Sequence, residues 1–197
     1  MAIKILGVSG SMREGSHSAR ALGLVLEAAR ERGAETRSLD LRASDLPMYR
    51  PRGALIETKS VREANEAVNW ADAFVLASPD YHGSMSGAMK NFLDYYWTEF
   101  AGKLFGYLCA SHEKGLTVME QMRTAVRQCY GWSLPYGASF HGDEDFDGAG
   151  NLQNAYVARR LQMMARDLVV YGSRIRQQFI TDLSSDEMDT FVARYRK

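Results

Sequence analysis

Residues Ala73-Phe74-Val75-Leu76-Ala77 form a continuous apolar run that stops at Ser78-Pro79. A strand apolar on both sides has to be covered on both faces, the condition of an interior strand in a parallel sheet. Around it, short apolar runs alternate with segments of helical period. Ile3 to Val8 predicts the first strand; Leu22, Val25, Leu26 and Ala29 then recur at helical spacing, with Gly33 placed to end that helix. Thr36 to Leu41 reads as a second strand, followed by a Pro-containing loop from Ala43 to Gly53. Ser60 and Glu63 have capping-box spacing ahead of a helix facing inward through Val61, Ala64, Val68 and Ala71. After the central strand come a helix carrying Met85, Met89, Phe92, Leu93 and Tyr96, a strand from Leu104 to Ala110, and a helix carrying Leu116, Met119, Met122 and Val126. Trp132 to Phe140 is a fifth strand interrupted by Pro135, Val157, Leu161, Met164 and Leu168 mark another helix, and Ser185 is placed to cap a short last one ending near Tyr195. Five such alternations imply right-handed crossovers and a doubly wound α/β fold, a five-stranded parallel sheet with helices on both faces. We expect residues 1–197 to form one domain.

Val8-Ser9-Gly10-Ser11-Met12-Arg13-Glu14-Gly15-Ser16 joins the first strand to the first helix. A hydroxyl-rich turn at a helix N-terminus presents amides, hydroxyls and a favourable dipole to an anion, and Arg13 adds a fork of charged donors. The spacing excludes two phosphate loops. Ser16-His17 follows Gly15 where a P-loop needs Lys-Ser/Thr, and Gly7, Gly10 and Gly15 do not form G-x-G-x-x-G. A terminal phosphomonoester, as in a mononucleotide such as FMN, fits this cradle.

Lys+Arg and Asp+Glu are equal at 24 each, which argues against nucleic acid or an anionic membrane as the main partner. The chain enters a strand almost at once and carries no apolar run long enough to span a bilayer, so a cytoplasmic protein acting on small molecules is expected. Cys109 and Cys129 read as two reduced thiols.

With one nucleotide loop after the first strand and five strands in all, the economical sheet order is 2-1-3-4-5, the flavodoxin-like arrangement, with ligands at the switch point between strands 1 and 3. The loop after strand 3, Ser78-Pro79-Asp80-Tyr81-His82-Gly83-Ser84-Met85-Ser86-Gly87, should converge there, with Tyr81 able to cover a flat ring. Three segments then carry a resemblance. Gly10-Ser11-Met12-Arg13-Glu14-Gly15-Ser16 resembles the G-S-x-R-x-x-S segment of the NAD(P)H-dependent FMN reductase family. Pro79-Asp80-Tyr81-His82-Gly83-Ser84 is similar to its P-x-Y-x-x-S segment, and Gly87-Ala88-Met89-Lys90-Asn91-Phe92-Leu93-Asp94 to its G-x-x-K-N-x-x-D helix start. The similarity covers roughly residues 1–170, leaving a short extension from about 172.

The resemblance implies that Ser9, Ser11, Met12, Arg13, Ser16 and Ser18 hold the flavin phosphate. Pro79, Asp80, Tyr81, His82 and Gly83 would line the ribityl chain and ring, and the loop after strand 4 would contribute Ser111, His112 and Gly115. His82 stands where the family often has asparagine, and Ser111-His112-Glu113-Lys114-Gly115 replaces a glycine-rich turn. The implied activity is hydride transfer from NADPH or NADH to FMN and on to a small-molecule acceptor such as free flavin, a quinone or another electrophile, with no protein nucleophile. The alternative is an FMN electron carrier that does not oxidise pyridine nucleotides, a class whose docking favours strong acidity that this chain lacks.

Asp143-Glu144-Asp145-Phe146-Asp147-Gly148 matches half of a calcium loop, but position 12 falls on Asn154, so an acidic turn is the better reading. His82, His112 and His141 lack ligand spacing, and no metal is expected. Arg50 and Arg52 are candidates to meet a 2′-phosphate. Aromatics around more than one face of Asn91–Trp97 point to burial in a homodimer or homotetramer.

Overall fold

The computed structural model describes residues 2–51 and 57–196. Strands β1 (Lys4–Ser9), β2 (Glu35–Asp40), β3 (Ala73–Pro79), β4 (Leu104–Ala110), β5 (Trp132–Ser133) and β6 (Ala138–Phe140) form one parallel sheet. Its order is 2-1-3-4-5, as expected for a flavodoxin-like sheet, with β6 also paired to β4. The helices are α1 (His17–Arg30), α2 (Leu41–Ser44), α3 (Lys59–Trp70), α4 (Gly87–Asp94), α5 (Leu116–Gln128), α6 (Gly142–Asp145) and α7 (Ala155–Leu183).

The expected fifth strand is split. β5 pairs with Leu104 and Phe105, β6 pairs with Leu108 to Ala110, and the stretch between, which holds Pro135, leaves the ladder. Proline has no N–H to give a neighbouring strand, so a strand through this position cannot stay paired.

Side-chain alternation divides the core. Ala73, Val75 and Ala77 pack with α1 and α7 on one face, while Phe74 and Leu76 pack with α3, α4 and α5 on the other. Phe74 stacks on Phe105 at 4.6 Å between ring centroids. The first helix stops as expected: Gly33 has φ of 86°, and Ala34 N–H reaches back to Ala29 C=O in a Schellman closure.

Four local expectations need correction. Thr58, not Ser60, caps α3, because its hydroxyl accepts from Val61 N–H while Ser60 lies inside the helix. Leu116 is exposed at the first turn of α5, and Val118 takes the inward position beside Met119, Met122 and Val126. The last segment is a 3₁₀ turn, Phe191–Tyr195, capped by Thr190 rather than Ser185. Finally, Phe92, Leu93 and Tyr96 are buried in the chain's own core, so that only Trp97, 66% exposed, remains of the aromatic surface used to argue for assembly.

The helix read from Val157 onward runs without interruption past residue 172 to Leu183. It carries Phe179 into a cluster with Ala101 and Val192, closed by stacking of Tyr130 on Phe191 and by the Arg194 guanidinium over the Tyr130 ring. Among the described residues, no helix is long and apolar enough to cross a membrane.

Candidate functional site

A cleft opens at the C-terminal ends of β1, β3, β4 and β6, where the switch-point rule places a ligand. Of the residues predicted from sequence, Ser11, Arg13, Ser16, Ser18, Pro79, Asp80, Tyr81, Ser111 and His112 line it. The loop after β1 supplies one wall. Ser16 caps α1 by accepting from Ala19 N–H, and its hydroxyl lies 3.3 Å from that of Ser18. The amides of His17 and Ser18, at the first two helical positions, have no protein acceptor among the described residues. These are the free donors that an anion satisfies at a helix start. Arg13 is exposed and makes no salt bridge among the described residues. At the end of β1, the Ser9 hydroxyl is buried without a partner among the described residues.

The opposite wall is built by a tight turn. Tyr81 and Ser84 exchange both backbone hydrogen bonds, and His82 and Gly83 between them have φ of 57° and 75°. Two positive φ values in a two-residue loop define a type I′ turn, which favours Asn-Gly and accepts histidine at its first central position. Asp80 fastens this turn to the next loop: one carboxylate oxygen accepts from Gly83 N–H at 2.8 Å and the other from Ser111 Oγ at 2.8 Å. Asp80 therefore positions the wall as well as lining it. Gln121 on α5 accepts from Ser84 Oγ at 2.9 Å, and Ser86 Oγ donates to Gly10 C=O at 2.6 Å, joining the first and second loops.

Sequence reading missed four residues on the wall: His17, Ala110, Gly142 and Asp143. Gly142 has a local reason to be glycine, since a Cβ there would stand 2.3 Å from His17 Nδ1. His17 also lies against Phe146, with ring centroids 5.1 Å apart. The structure does not bring Ser9, Met12, His82, Gly83 or Gly115 to the cleft wall. Met12 is half exposed, His82 and Gly83 shape the turn, and Gly115 starts α5 where a Cβ would meet Cys109 Sγ at 2.6 Å. Arg50 is exposed and does not line the cleft, and Arg52 lies outside the described residues.

No thiol is poised to react. Burial, and then the charge of Asp80, pushes the Cys109 thiol up to about 12, and burial also raises Cys129. In the acidic turn, Asp145 accepts from His141 N–H and from the Asn154 amide, while Asp147 accepts from Asn151 and Gln153. Those carboxylates are spent on the loop's own donors.

The model of the family described as NADPH-dependent FMN reductase matches residues 3–145. The chain belongs to that family. An NAD(P)H-dependent FMN reductase of Pseudomonas aeruginosa is 32% identical over 191 residues, covering 88% of this chain and 97% of the relative. An NADPH azoreductase of Bacillus sp. is 30% identical over 112 residues, covering 55% of this chain; the match spans 63% of that relative's length. Among solved structures, the FerB flavoenzyme NAD(P)H:(acceptor) oxidoreductase of Paracoccus denitrificans superposes with a TM-score of 0.72 at 18% identity, covering 88% of this chain and 98% of that one. A WrbA-like flavodoxin from Agrobacterium tumefaciens gives 0.62 at 15% identity, covering 88% and 99%. These two likenesses establish the flavodoxin-like fold. Membership of the FMN reductase family makes the chain an oxidoreductase that uses FMN and NAD(P)H.

The donor set fits the flavin's phosphate end. Hydroxyls, a guanidinium and free helix amides line that part of the cleft, and the loop's one carboxylate, Glu14, lies exposed and off the wall.

Proposed function

We propose that this reductase holds FMN with its phosphate on Ser11, Arg13, Ser16, Ser18 and the amides of His17 and Ser18, and its ring beside Tyr81 and the Ser111–His112 loop. Held there, FMN would supply the two-electron chemistry that links NAD(P)H to a small acceptor such as free flavin or a quinone. The chain's own task is orientation. Asp80, Gln121 and Ser86 fix the loop after β3 against its neighbours before any ligand arrives, so little ordering is left to offset binding. Tyr81, 48% exposed, offers an aromatic face without blocking entry. The observation that carries the reading is the set of amides without an acceptor at the start of α1, in residues that line the cleft.

Two measurements test it. Calorimetry should show FMN binding far more tightly than riboflavin, because only FMN carries the phosphate; equal affinities would sink the cradle. NADH or NADPH should bleach the bound flavin catalytically when an acceptor is present. Bleaching by dithionite alone would make the protein an electron carrier. Two free thiols in a pyridine-nucleotide enzyme support a cytoplasmic location. Assembly as a homodimer or homotetramer rests on exposed Trp97, and light scattering of the parent and of Trp97→Asp checks it, with a monomeric parent removing the idea.

A further inference from the structure

At the rim of the cleft, His112 Nδ1 and His141 Nε2 face each other at 2.7 Å. The rings meet edge to face with centroids 4.6 Å apart. Two imidazole nitrogens at that distance share one hydrogen, so one ring donates and the other accepts. The remaining nitrogen of His141, Nδ1, is buried without a hydrogen-bond partner among the described residues, and Glu144 Oε1 stands 3.8 Å from it. A carboxylate there favours hydrogen on His141 Nδ1, which leaves Nε2 as the acceptor. His112 then donates from Nδ1, and Nε2 is the nitrogen of that exposed ring with no part in the pair. The backbone locks this arrangement, because Asp145 accepts from His141 N–H at 2.7 Å.

Reduction of a quinone by NAD(P)H consumes a proton: NAD(P)H, quinone and H⁺ give NAD(P)⁺ and hydroquinone. We propose that His112 is the donor of that proton and that His141 is a positioning residue holding it in the competent tautomer. In the step, the His112 Nε2–H bond breaks, its electron pair stays on the imidazole, and the proton bonds to the acceptor oxygen. Water reprotonates Nε2 after the product leaves. This rests on the proposed acceptor reduction in this cleft, and the test separates the two.

Ferricyanide takes electrons without protons and serves as the internal control. Its reduction by NAD(P)H in the parent holoenzyme tests the oxidoreductase reading alone. His112→Gln should lower the ratio of 1,4-benzoquinone turnover to ferricyanide turnover by about 100-fold or more, the scale of general acid catalysis, whatever it does to FMN affinity. His141→Ala should lower the same ratio, and His141→Gln, which keeps an acceptor for His112, should restore most of it. In ¹⁵N spectra of the flavin-free parent, His112 should carry hydrogen on Nδ1. An unchanged ratio in His112→Gln, equal ratios for His141→Ala and His141→Gln, or a bare Nδ1 would each overturn the proposal.

Discussion

The two ends of the sheet treat most of their polar groups in opposite ways, the buried and unpartnered Tyr96 hydroxyl at the N-terminal end being an exception among the described residues. At the C-terminal end, among the described residues, the Ser9 hydroxyl and the first amides of α1 have no partner and Arg13 pairs with no carboxylate. At the N-terminal end, Asp72 accepts from Lys4 N–H and pairs with Arg176, buried Lys103 donates to Val68 C=O, and the chain's last residues close over Phe179. Unmet hydrogen-bonding capacity costs stability unless a ligand satisfies it. The contrast separates binding from folding.

The largest effect should come from the sealed end. Phe179 is buried against Gly102, where a Cβ would stand 2.1 Å from the ring, and Gly102 has φ of 69°. Truncating this ring leaves a cavity that the tail cannot fill, so Phe179→Ala should cost about 3 to 5 kcal/mol by denaturant unfolding. FMN affinity of the folded fraction should stay within two-fold. A large loss of affinity without loss of stability would break the division.

Arg13→Ala makes the reciprocal case. A hydrogen bond to a charged group contributes about 1.5 to 3 kcal/mol, so FMN should bind roughly 10- to 150-fold more weakly. Unfolding should be nearly unchanged, because Arg13 is exposed and makes no salt bridge among the described residues. Calorimetric titration with FMN and riboflavin measures the loss, which should be confined to FMN.

This division was partly legible in the sequence. Ala73–Ala77 announced the interior strand and Gly33 the end of α1, because each depends on its immediate neighbours. Asp80 looked like a ligand contact, and its bond to Ser111 across 31 residues could be seen only after β3 and β4 were paired. Tyr96 looked like interface for the same reason: the rings that cover it, Phe92 and Phe100, are neighbours through packing rather than through helical period alone. Thr58 and Ser60 both have capping chemistry, and the two-residue choice between them is set by where α3 docks.

A third test reads the sealed end through pH. Burial, with Arg176 adding to it, lowers Lys103 from 10.5 to about 8, against the opposing pull of Asp72 and Glu99. Because the folded-state value is depressed, the unfolded chain holds this proton more tightly between about pH 8 and 10.5, and stability from this group rises with pH across that window. The thiols of Cys109 and Cys129 act oppositely near pH 9, since their folded-state values are raised. Comparison with Lys103→Met cancels them. The variant's stability relative to the parent should fall by about 1 kcal/mol between pH 8 and pH 9. A pH-independent difference would mean that Lys103 titrates normally.

The smallest effect should appear where the two ends' rules meet, in the turn at His82. The type I′ geometry requires positive φ at His82 and Gly83, and asparagine occupies such positions with less strain than most side chains. His82→Asn should therefore shift stability by no more than about 0.5 kcal/mol. His82→Val, β-branched at φ of 57°, should destabilise by about 1 to 2 kcal/mol. In His82→Asn the turn still holds Asp80 and Tyr81 in place, so FMN affinity should remain within two-fold of the parent. If affinity drops ten-fold while the unfolding curve is unmoved, the imidazole touches the ligand. His82 would then belong to the binding wall, and the turn to both halves of the comparison.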